Sequence, residues 1–324
     1  MDKDVHLLTC IPSRHLSGRK TNTIYLFPIL MNTFLRRIVV FSILVFAVIG
    51  AAEIYVEHLP NPSRIKHEWL KQHSAEVRTL VLGNSHTFYG IPPGELGGNA
   101  FSLAQVSQTY RYDDYLLRHY DFPHLEQVIL PFSYMSLWED FESQENKHFN
   151  AVRYRLYMDC DIHSRFSQYG FECLHMASFK EKLKSLYRSS LLSCDSLGWG
   201  NNYNGHRLAD WDNGAQRAKE NTYSDTSLVS LNLRFLRNIL SYCRKRHVRI
   251  ILVTMPVSPT YYKNEDKRQR HVNETIIVQI LKEYPETIYL NLERDKNFTS
   301  ADFYDGDHLN ARGAHKCAAI IRRY

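Results

Sequence analysis

Five short apolar segments, each a predicted strand, constrain the fold more than any other feature of this 324-residue sequence. Between them lie segments whose apolar residues recur with helical spacing, and an alternation of strands with helices indicates βαβ units and a parallel sheet. We therefore predict an α/β domain with about five parallel strands. The predicted strands are 77–82, 99–104, 127–133, 248–254 and 287–292, and the predicted helices are 107–120, 227–246, 266–283 and 311–322.

Residues 134–224 interrupt this alternation. The stretch is rich in aromatic, charged, Asn and Gly residues, and it is too long for a plain loop in a compact domain. We predict a largely helical insertion, with its best helix at 179–192. Its Trp and Tyr side chains suit either stacking on sugar rings or a small core of the insertion itself, and the sequence does not separate these two roles.

The segment 38–52 is apolar apart from Ser42 and follows Arg36 and Arg37. Extended to 34–56, it reaches the roughly 20 residues that span a bilayer. We predict a single-pass signal-anchor with a cytoplasmic N-terminus, since positive charges before the helix stay inside. Residues 57–324 would then lie on the periplasmic side of the inner membrane. The alternatives are a cleaved signal peptide and a buried core helix.

Residues 1–30 carry no periodic pattern, and Met31 directly precedes the membrane-targeting segment. We therefore expect an unstructured extension at 1–30 and a native start at Met31. Positive charge is scattered, with a net charge of +6, and no nucleic-acid-binding motif accompanies it, so we predict no nucleic-acid partner. The six cysteines include no Cys-x-x-Cys pair, which argues against structural zinc, although a bridge within the set Cys160, Cys173 and Cys194 remains open.

Ser85 follows the first predicted strand, in the turn Gly83-Asn84-Ser85. The carboxyl ends of parallel strands are where such sheets bind ligands. A serine hydroxyl is a weak nucleophile unless a base accepts its proton. Asp305 and His308, just before the last predicted helix, supply a carboxylate three residues from an imidazole, which is suited to fixing the tautomer of a base. We expect Gly306 to allow the bend between them.

Four polar residues in or beside these motifs have other interpretations. Asp307 is an alternative partner for His308, although its adjacency makes the two side chains harder to align. His86 fits a turn or a pocket wall better than a base. Asp305, Asp307 and Asn310 offer oxygen ligands for a cation, but the full calcium-loop pattern is absent.

The stretch 83–86 (Gly-Asn-Ser-His), together with Asp305-x-x-His308, resembles the SGNH (GDSL-like) hydrolase family, and the resemblance covers roughly 77–324. It is closest to the membrane-anchored DltD- and AlgJ/AlgX-like branch, which works with polysaccharide acyltransferases. The resemblance implies a flavodoxin-like three-layer sandwich with a doubly wound strand order. It also implies Ser85 as nucleophile, His308 as base and Asp305 as its orienting acid, with no cofactor and no metal.

Two blocks depart from that family. The stretch 99–108 lacks the oxyanion-hole glycine, and the third strand ends without the usual asparagine. Asn84 and Gln105 are the substitute oxyanion or substrate-binding candidates, and the Ser85 backbone N–H is a further donor. Loss of one oxyanion donor costs about 100- to 1,000-fold in rate, so the departures bear on efficiency.

The resemblance implies acyl ester chemistry, most readily with acetyl groups, through an acyl-serine on an extracytoplasmic polysaccharide or cell-envelope glycan. Release of the acyl group to water would make an esterase, and release to a sugar hydroxyl would make an O-acyltransferase. The implied partner is a polytopic membrane-bound O-acyltransferase. The alternative is a non-catalytic glycan-binding or assembly subunit.

Overall fold

The computed structural model describes residues 23–59, 61–140, 150–160, 162, 171–172, 194–203 and 211–324. The chain divides into two units, Met1–Ala52 and Glu53–Tyr324. Helix α1 spans Thr23–Glu57 and therefore begins within the stretch 1–30, where we expected no regular structure. The sequence from 24 to 30 is itself mostly apolar, and the helix continues through it.

Within α1, the segment Met31–Glu57 is long and apolar enough to cross a membrane, with a mean hydropathy of 2.4 in its most apolar window. Only 6% of that window is buried, and side chains such as Phe41 and Phe46 are about 70% exposed. At about 1.5 Å per residue, 27 residues exceed the roughly 30 Å of a bilayer core. This exposure argues against a core helix and leaves a single-pass anchor or a signal sequence.

The second unit is built on a five-stranded parallel sheet, which confirms the predicted α/β fold. The strands are β1 Thr79–Val81, β2 Ala100–Ser102, β3 Gln127–Pro131, β4 Arg249–Thr254 and β5 Ile288–Asn291. Their order in the sheet is β2-β1-β3-β4-β5, the flavodoxin-like order, which the family resemblance implied. Leu80 on β1 pairs with Phe101 on one side and Val128 on the other, so β1 is an interior strand.

Helices cover both faces of the sheet because alternate strand residues point to opposite sides. Leu80 and Val128 belong to one buried cluster, and their neighbours Val81 and Ile129 belong to the other. The helices after α1 are α2 Pro62–His73, α3 Ser85–Gly90, α4 Tyr110–His119, α5 Asn150–Met158, α6 Gly214–Glu220, α7 Ser227–Lys245, α8 Pro259–Asn264, α9 Lys267–Glu283 and α10 Ala311–Ile321. The first cluster includes residues of α7 and α9, and the second includes residues of α10.

The described parts of the insertion include α5, the segment 194–203 and α6, while the helix predicted at 179–192 lies outside the described residues. The indole N–H of Trp199 donates to the carbonyl of Tyr89 at 2.8 Å, and the ring is 8% exposed, so Trp199 packs in the protein's own core. Cys160 and Cys194 are free thiols. Cys173 lies outside the described residues.

Candidate active site

The turn after β1 presents Ser85 at the start of helix α3. Gly83 has φ of +105°, and a Cβ there would lie 2.2 Å from the ring of Pro131, so this turn requires glycine. Asn84 caps the helix, its Oδ1 accepting the His86 N–H at 3.1 Å. The half-buried Ser85 is therefore held at the first helical position, at the carboxyl edge of the sheet.

A buried carboxyl group supports this turn from below. Asp113 Oδ1 accepts the Gly83 N–H at 2.8 Å and the Gln108 amide at 2.6 Å. Burial raises the pKa of Asp113 to about 7, against the opposing effect of those two hydrogen bonds. Its Oδ2 is buried and has no hydrogen-bond partner in the described part of the chain.

The loop between β5 and α10 brings the predicted base to the serine. His308 Nε2 lies 2.9 Å from Ser85 Oγ, although 223 residues separate them in sequence. Asp305 Oδ1 accepts the backbone N–H of His308 at 2.8 Å, and both its oxygens lie 3.0 Å from His308 Nδ1. A carboxylate at Nδ1 favours the tautomer that leaves Nε2 free to accept a proton from the serine.

Gly306 is needed for a reason other than the expected bend. Its φ is not positive, and a Cβ there would lie 2.5 Å from the Cα of Gly214 at the start of α6. Asn213 Oδ1 accepts the Gly306 N–H at 2.9 Å. The residue is small so that the base loop can pack directly on the backbone of the insertion.

Asp307, left open as an alternative partner, is a second carboxylate beside the imidazole. Its side chain is fully buried, and its Oδ1 lies 3.3 Å from His308 Nδ1. Arg217 donates to both of its oxygens, from Nε at 2.7 Å and Nη2 at 3.1 Å, and Asn221 Nδ2 donates at 3.1 Å. Adjacency in sequence therefore does not prevent contact, because Asp305 and Asp307 approach the same edge of the ring.

These charges set the proton affinity of the base. Burial alone would lower the pKa of His308, but the carboxylates of Asp305 and Asp307 outweigh it and raise the pKa to about 10. For the acid Asp307, burial acts in the other direction and would raise the pKa, yet His308 and His86 hold that pKa well below its usual range. Both carboxylates therefore favour the protonated form of His308, and they do so from the Nδ1 edge of its ring.

His86 is buried in the turn at the start of α3, one of the two places that its interpretation allowed, and it also contacts the charged groups. Its Nε2 lies 3.3 Å from Asp307 Oδ2, and its Nδ1 lies 3.1 Å from Ser133 Oγ. Burial lowers the pKa of His86 despite the nearby Asp307, so the ring is neutral. We assign its proton to Nε2, because the carboxylate can only accept and the hydroxyl can donate to Nδ1.

His86, Asp307 and His308 place one ligand atom each within 4.8 Å of one another, a grouping that can hold a metal ion. Both oxygens of Asp307, however, already accept from the Arg217 guanidinium, which supplies the positive charge that a cation would bring. His308 Nε2 faces Ser85. The donor set is thus engaged by the protein's own groups, and we assign it no metal.

Ser85 and His308 open into a cavity of about 670 Å³, a volume in the range of small-ligand sites. Tyr89 and Tyr203 line one wall with stacked rings 3.9 Å apart, and Tyr304, which is not a lining residue, stacks on Tyr203 at 3.8 Å. The Tyr203 ring also meets the edge of His308 at 5.4 Å. The other lining residues are Asn84, Val106, Ser107, Met135, Glu139, Arg217, Glu220, Asn221 and Tyr223.

The structure separates the two oxyanion candidates. Asn84 lines the Ser85 cavity, and its amide nitrogen donates to no described residue. Gln105 does not line that cavity: its backbone N–H donates to the Gly83 carbonyl at 2.9 Å, and its side chain donates to Ser63 Oγ at 3.2 Å. The stretch with Gln105 thus braces the turn and does not face the serine.

The sequence did not identify Arg217 and Asn221 as site residues. Both lie in or just after α6, in the insertion, where no motif or periodic pattern ties them to Asp307. The only local signal is that Asn, Gly and charged residues are frequent at 211–221, and this does not indicate that Arg217 or Asn221 contacts Asp307.

Comparison with known proteins places the chain in a family. A solved structure titled "The structure of a putative platelet activating factor from Streptococcus pneumonia" is similar at 10% identity and a TM-score of 0.39, covering 88% of this chain and 99% of that one. No curated protein matches the sequence. Residues 99–324 match the family described as "Protein of unknown function (DUF1574)". The match covers more than two thirds of the chain, which therefore belongs to the DUF1574 family.

Proposed function

We propose that this protein is a serine-dependent acyl-transfer enzyme of the SGNH type. The observation that carries the proposal is the hydrogen-bonded chain from Ser85 Oγ through His308 to Asp305, with distances of 2.9 Å and 3.0 Å. A nucleophile, a base and an orienting acid in this order are the parts that covalent acyl transfer needs. Ser85 and His308 also line a cavity that is large enough for an ester substrate.

In the proposed reaction, Ser85 Oγ attacks the carbonyl carbon of an ester while its proton passes to His308 Nε2. The tetrahedral intermediate then expels the alcohol, which leaves with that proton, and an acyl-serine remains. An incoming hydroxyl gives its proton to His308 and attacks the acyl carbon. The bond from the acyl carbon to Ser85 Oγ then breaks, and His308 returns the proton to Ser85. Asp305 keeps the imidazole in one tautomer throughout and stabilises its charged form.

The developing oxyanion needs donors close to Ser85. The backbone N–H of Ser85 is at the first position of α3, where a helix provides no carbonyl partner. The Asn84 amide is the second proposed donor, because it faces the same cavity. Each such donor contributes about 100- to 1,000-fold in rate.

We further propose that the acceptor is a carbohydrate of the cell envelope and that the transferred group is acetyl. Tyr89, Tyr203 and Tyr223 give the cavity aromatic surface for sugar rings, and Glu139, Glu220 and Arg217 add polar groups for hydroxyls. The apolar helix Met31–Glu57 would tether the enzyme to the inner membrane, with its site on the periplasmic side. The family resemblance adds a polytopic membrane-bound O-acyltransferase as the partner.

The test is intact-mass analysis of the full chain in detergent after exposure to p-nitrophenyl acetate. Ser85→Ala removes the nucleophile, and Ser107→Ala, at another serine of the same cavity, is the matched control. An acetyl adduct in the wild type and in Ser107→Ala, but not in Ser85→Ala, is the expected result. A slowly turned-over adduct favours transfer to a sugar, and rapid release favours an esterase. No gain in mass and no turnover in any of the three proteins would favour the non-catalytic glycan-binding subunit.

A further inference from the structure

Asp307 is a buried carboxylate that the proposed acyl transfer does not use. It does not face the cavity, its side chain is 0% exposed, and its backbone N–H is bound by Asp305 Oδ1 at 3.1 Å. A carboxylate is costly to bury unless it is paired and hydrogen-bonded. Its neighbours must therefore account for its presence.

Three side chains donate hydrogen bonds to Asp307 or lie within hydrogen-bond distance of it. Arg217 comes from α6, Asn221 follows that helix, and His86 comes from the second position of α3. Together they supply donors to both oxygens, and a fully buried carboxylate stays ionised in such a setting. Besides the Arg217 hydrogen bond, Asp307 Oδ1 has His308 Nδ1 as a neighbour at 3.3 Å.

We propose that Asp307 is a positioning residue, held ionised by Arg217, Asn221 and His86 against the Nδ1 edge of His308, and that it sets the basicity of that imidazole. The proposal rests on the proposed function, since it concerns the base of the same reaction. Asp305 fixes the tautomer through direct bonds, and Asp307 adds a second negative charge on the same side of the ring.

The side chains that contact His308 or Asp307 favour a proton on the His308 ring, because they bring more negative than positive charge. They are the carboxylates of Asp305 and Asp307, the guanidinium of Arg217 and the ring of His86, whose pKa is lowered by burial. Glu220 lies behind Arg217, 3.1 Å from its Nη1. The remaining titratable groups on the elements packed nearby are the phenols of Tyr89, Tyr203, Tyr261 and Tyr304. Burial raises the pKa of Tyr203, Tyr261 and Tyr304 above the usual value for a phenol.

The Asp305 and Asp307 carboxylates therefore each favour the protonated form of the His308 ring. This favours the imidazolium that forms during the reaction, but it also leaves few neutral bases in the free enzyme near pH 7. The reaction should accelerate with pH until His308 loses its proton. Removing Asp307 and removing Arg217 should move this dependence in opposite directions, because the two residues have opposite charges.

The test measures the rate at which a fluorophosphonate labels Ser85 in the full-length protein between pH 6 and 11. In this reaction an Oγ–P bond forms, fluoride leaves and His308 takes the serine proton, so the rate follows the fraction of neutral imidazole. In Asp307→Asn we expect the inflection to move at least about one pH unit toward acid, the size of shift that one nearby charge produces. In Arg217→Gln we expect it to move toward alkali.

A second measurement does not depend on activity. Histidines labelled with ¹³C at Cε1 report the titration of His308 by NMR, and His308→Gln assigns its signal. An acid shift of the His308 titration in Asp307→Asn and an alkaline shift in Arg217→Gln support the proposal, whether or not the reagent labels Ser85. A failure to label Ser85 would count against acyl transfer and not against the role of Asp307. An unmoved His308 titration in Asp307→Asn overturns it. If that variant does not fold, an unmoved or acid-shifted titration in Arg217→Gln overturns it instead.

Discussion

Gly306 and Gly214 are in backbone contact: a Cβ on Gly306 would lie 2.5 Å from the Cα of Gly214. Through this contact the loop that carries His308 packs on the helix that carries Arg217. The Asn213 side chain adds a hydrogen bond to the Gly306 N–H, and the Gly306 carbonyl accepts the Ser258 N–H at 2.9 Å. The spacing between the base and its charged neighbours is therefore set by main-chain packing.

Gly306→Ala should separate the two segments. The added methyl group meets backbone atoms, which cannot rotate away, so we expect a loss of about 1–3 kcal/mol in unfolding free energy. Ser85 labelling should fall by about 100-fold, because a shift of about 1 Å in a catalytic group has that effect. Urea unfolding and labelling rates measure both. The control is Gly94→Ala, where the nearest atom would lie at 3.7 Å and both quantities should stay unchanged. Wild-type behaviour of Gly306→Ala would contradict the packing argument.

Asp305→Asn should be far more damaging to activity than to stability. An asparagine can turn its amide toward His308 Nδ1 and favour the tautomer that places the proton on Nε2. We expect labelling of Ser85 to fall by roughly 1,000- to 10,000-fold, the effect of losing the orienting acid of a triad. Thermal unfolding followed by circular dichroism checks that the fold survives. Asp225→Asn, at an exposed position, serves as the control, and a Asp305→Asn rate within tenfold of wild type would remove Asp305 from the triad.

The meeting of Ser85, His308 and Asp305 could be predicted because each residue lies in a short motif beside a recognisable strand or helix. The turn after β1 and the loop before α10 have local signatures, and a parallel sheet brings such ends together. The roles of Arg217 and Asn221 were not predictable, since they depend on how an aperiodic insertion packs. Gln105 was a candidate donor, but its backbone N–H donates to Gly83 and its side chain donates to Ser63, and sequence spacing carries no information on such contacts.

Asp113 should make the protein less stable as pH rises. Its pKa is raised from 3.8 to about 7 in the folded protein, so the folded state keeps a proton that the unfolded chain releases. This contribution to stability is complete below about pH 4 and is lost as pH rises through 7. In Asp113→Asn the decline of unfolding free energy between pH 4.5 and 7 should be less steep, by up to about 1.4 kcal/mol per pH unit. Denaturant unfolding across this range measures it. An unchanged slope, equal to that of the exposed-site control Asp121→Asn, would contradict the assignment.

Tyr203 should matter through its ring and not through its hydroxyl. Its ring stacks on both Tyr89 and Tyr304, and each aromatic pair contributes about 0.5–1.5 kcal/mol. Tyr203→Ala should open the wall beside His308 and lower Ser85 labelling by about tenfold. Tyr203→Phe retains both stacks and should keep at least half of the rate. Equal losses in the two variants would point to the hydroxyl and against the stack.

The N-terminal helix should remain in the mature protein and hold it in the membrane. Leu44 and Phe46 are more than half exposed in a segment whose length suits a bilayer. We expect the chain to stay in the membrane pellet after carbonate extraction, and we expect Leu44→Arg with Phe46→Arg to weaken this retention, because each arginine costs about 2.5–3.5 kcal/mol at mid-membrane. A soluble mature chain whose mass places its start after Ala52 would identify a cleaved signal sequence.

The separation of 223 residues between Ser85 and His308 has a consequence for biosynthesis. Contacts between the two ends of a chain form slowly, because a long loop must close before they contribute any stability. The serine is made early, but its base becomes available only after β5 and α10 have been synthesised and have docked on the sheet. A nascent chain should therefore stay chemically inert while it emerges, and the competence of its serine should report that folding is complete.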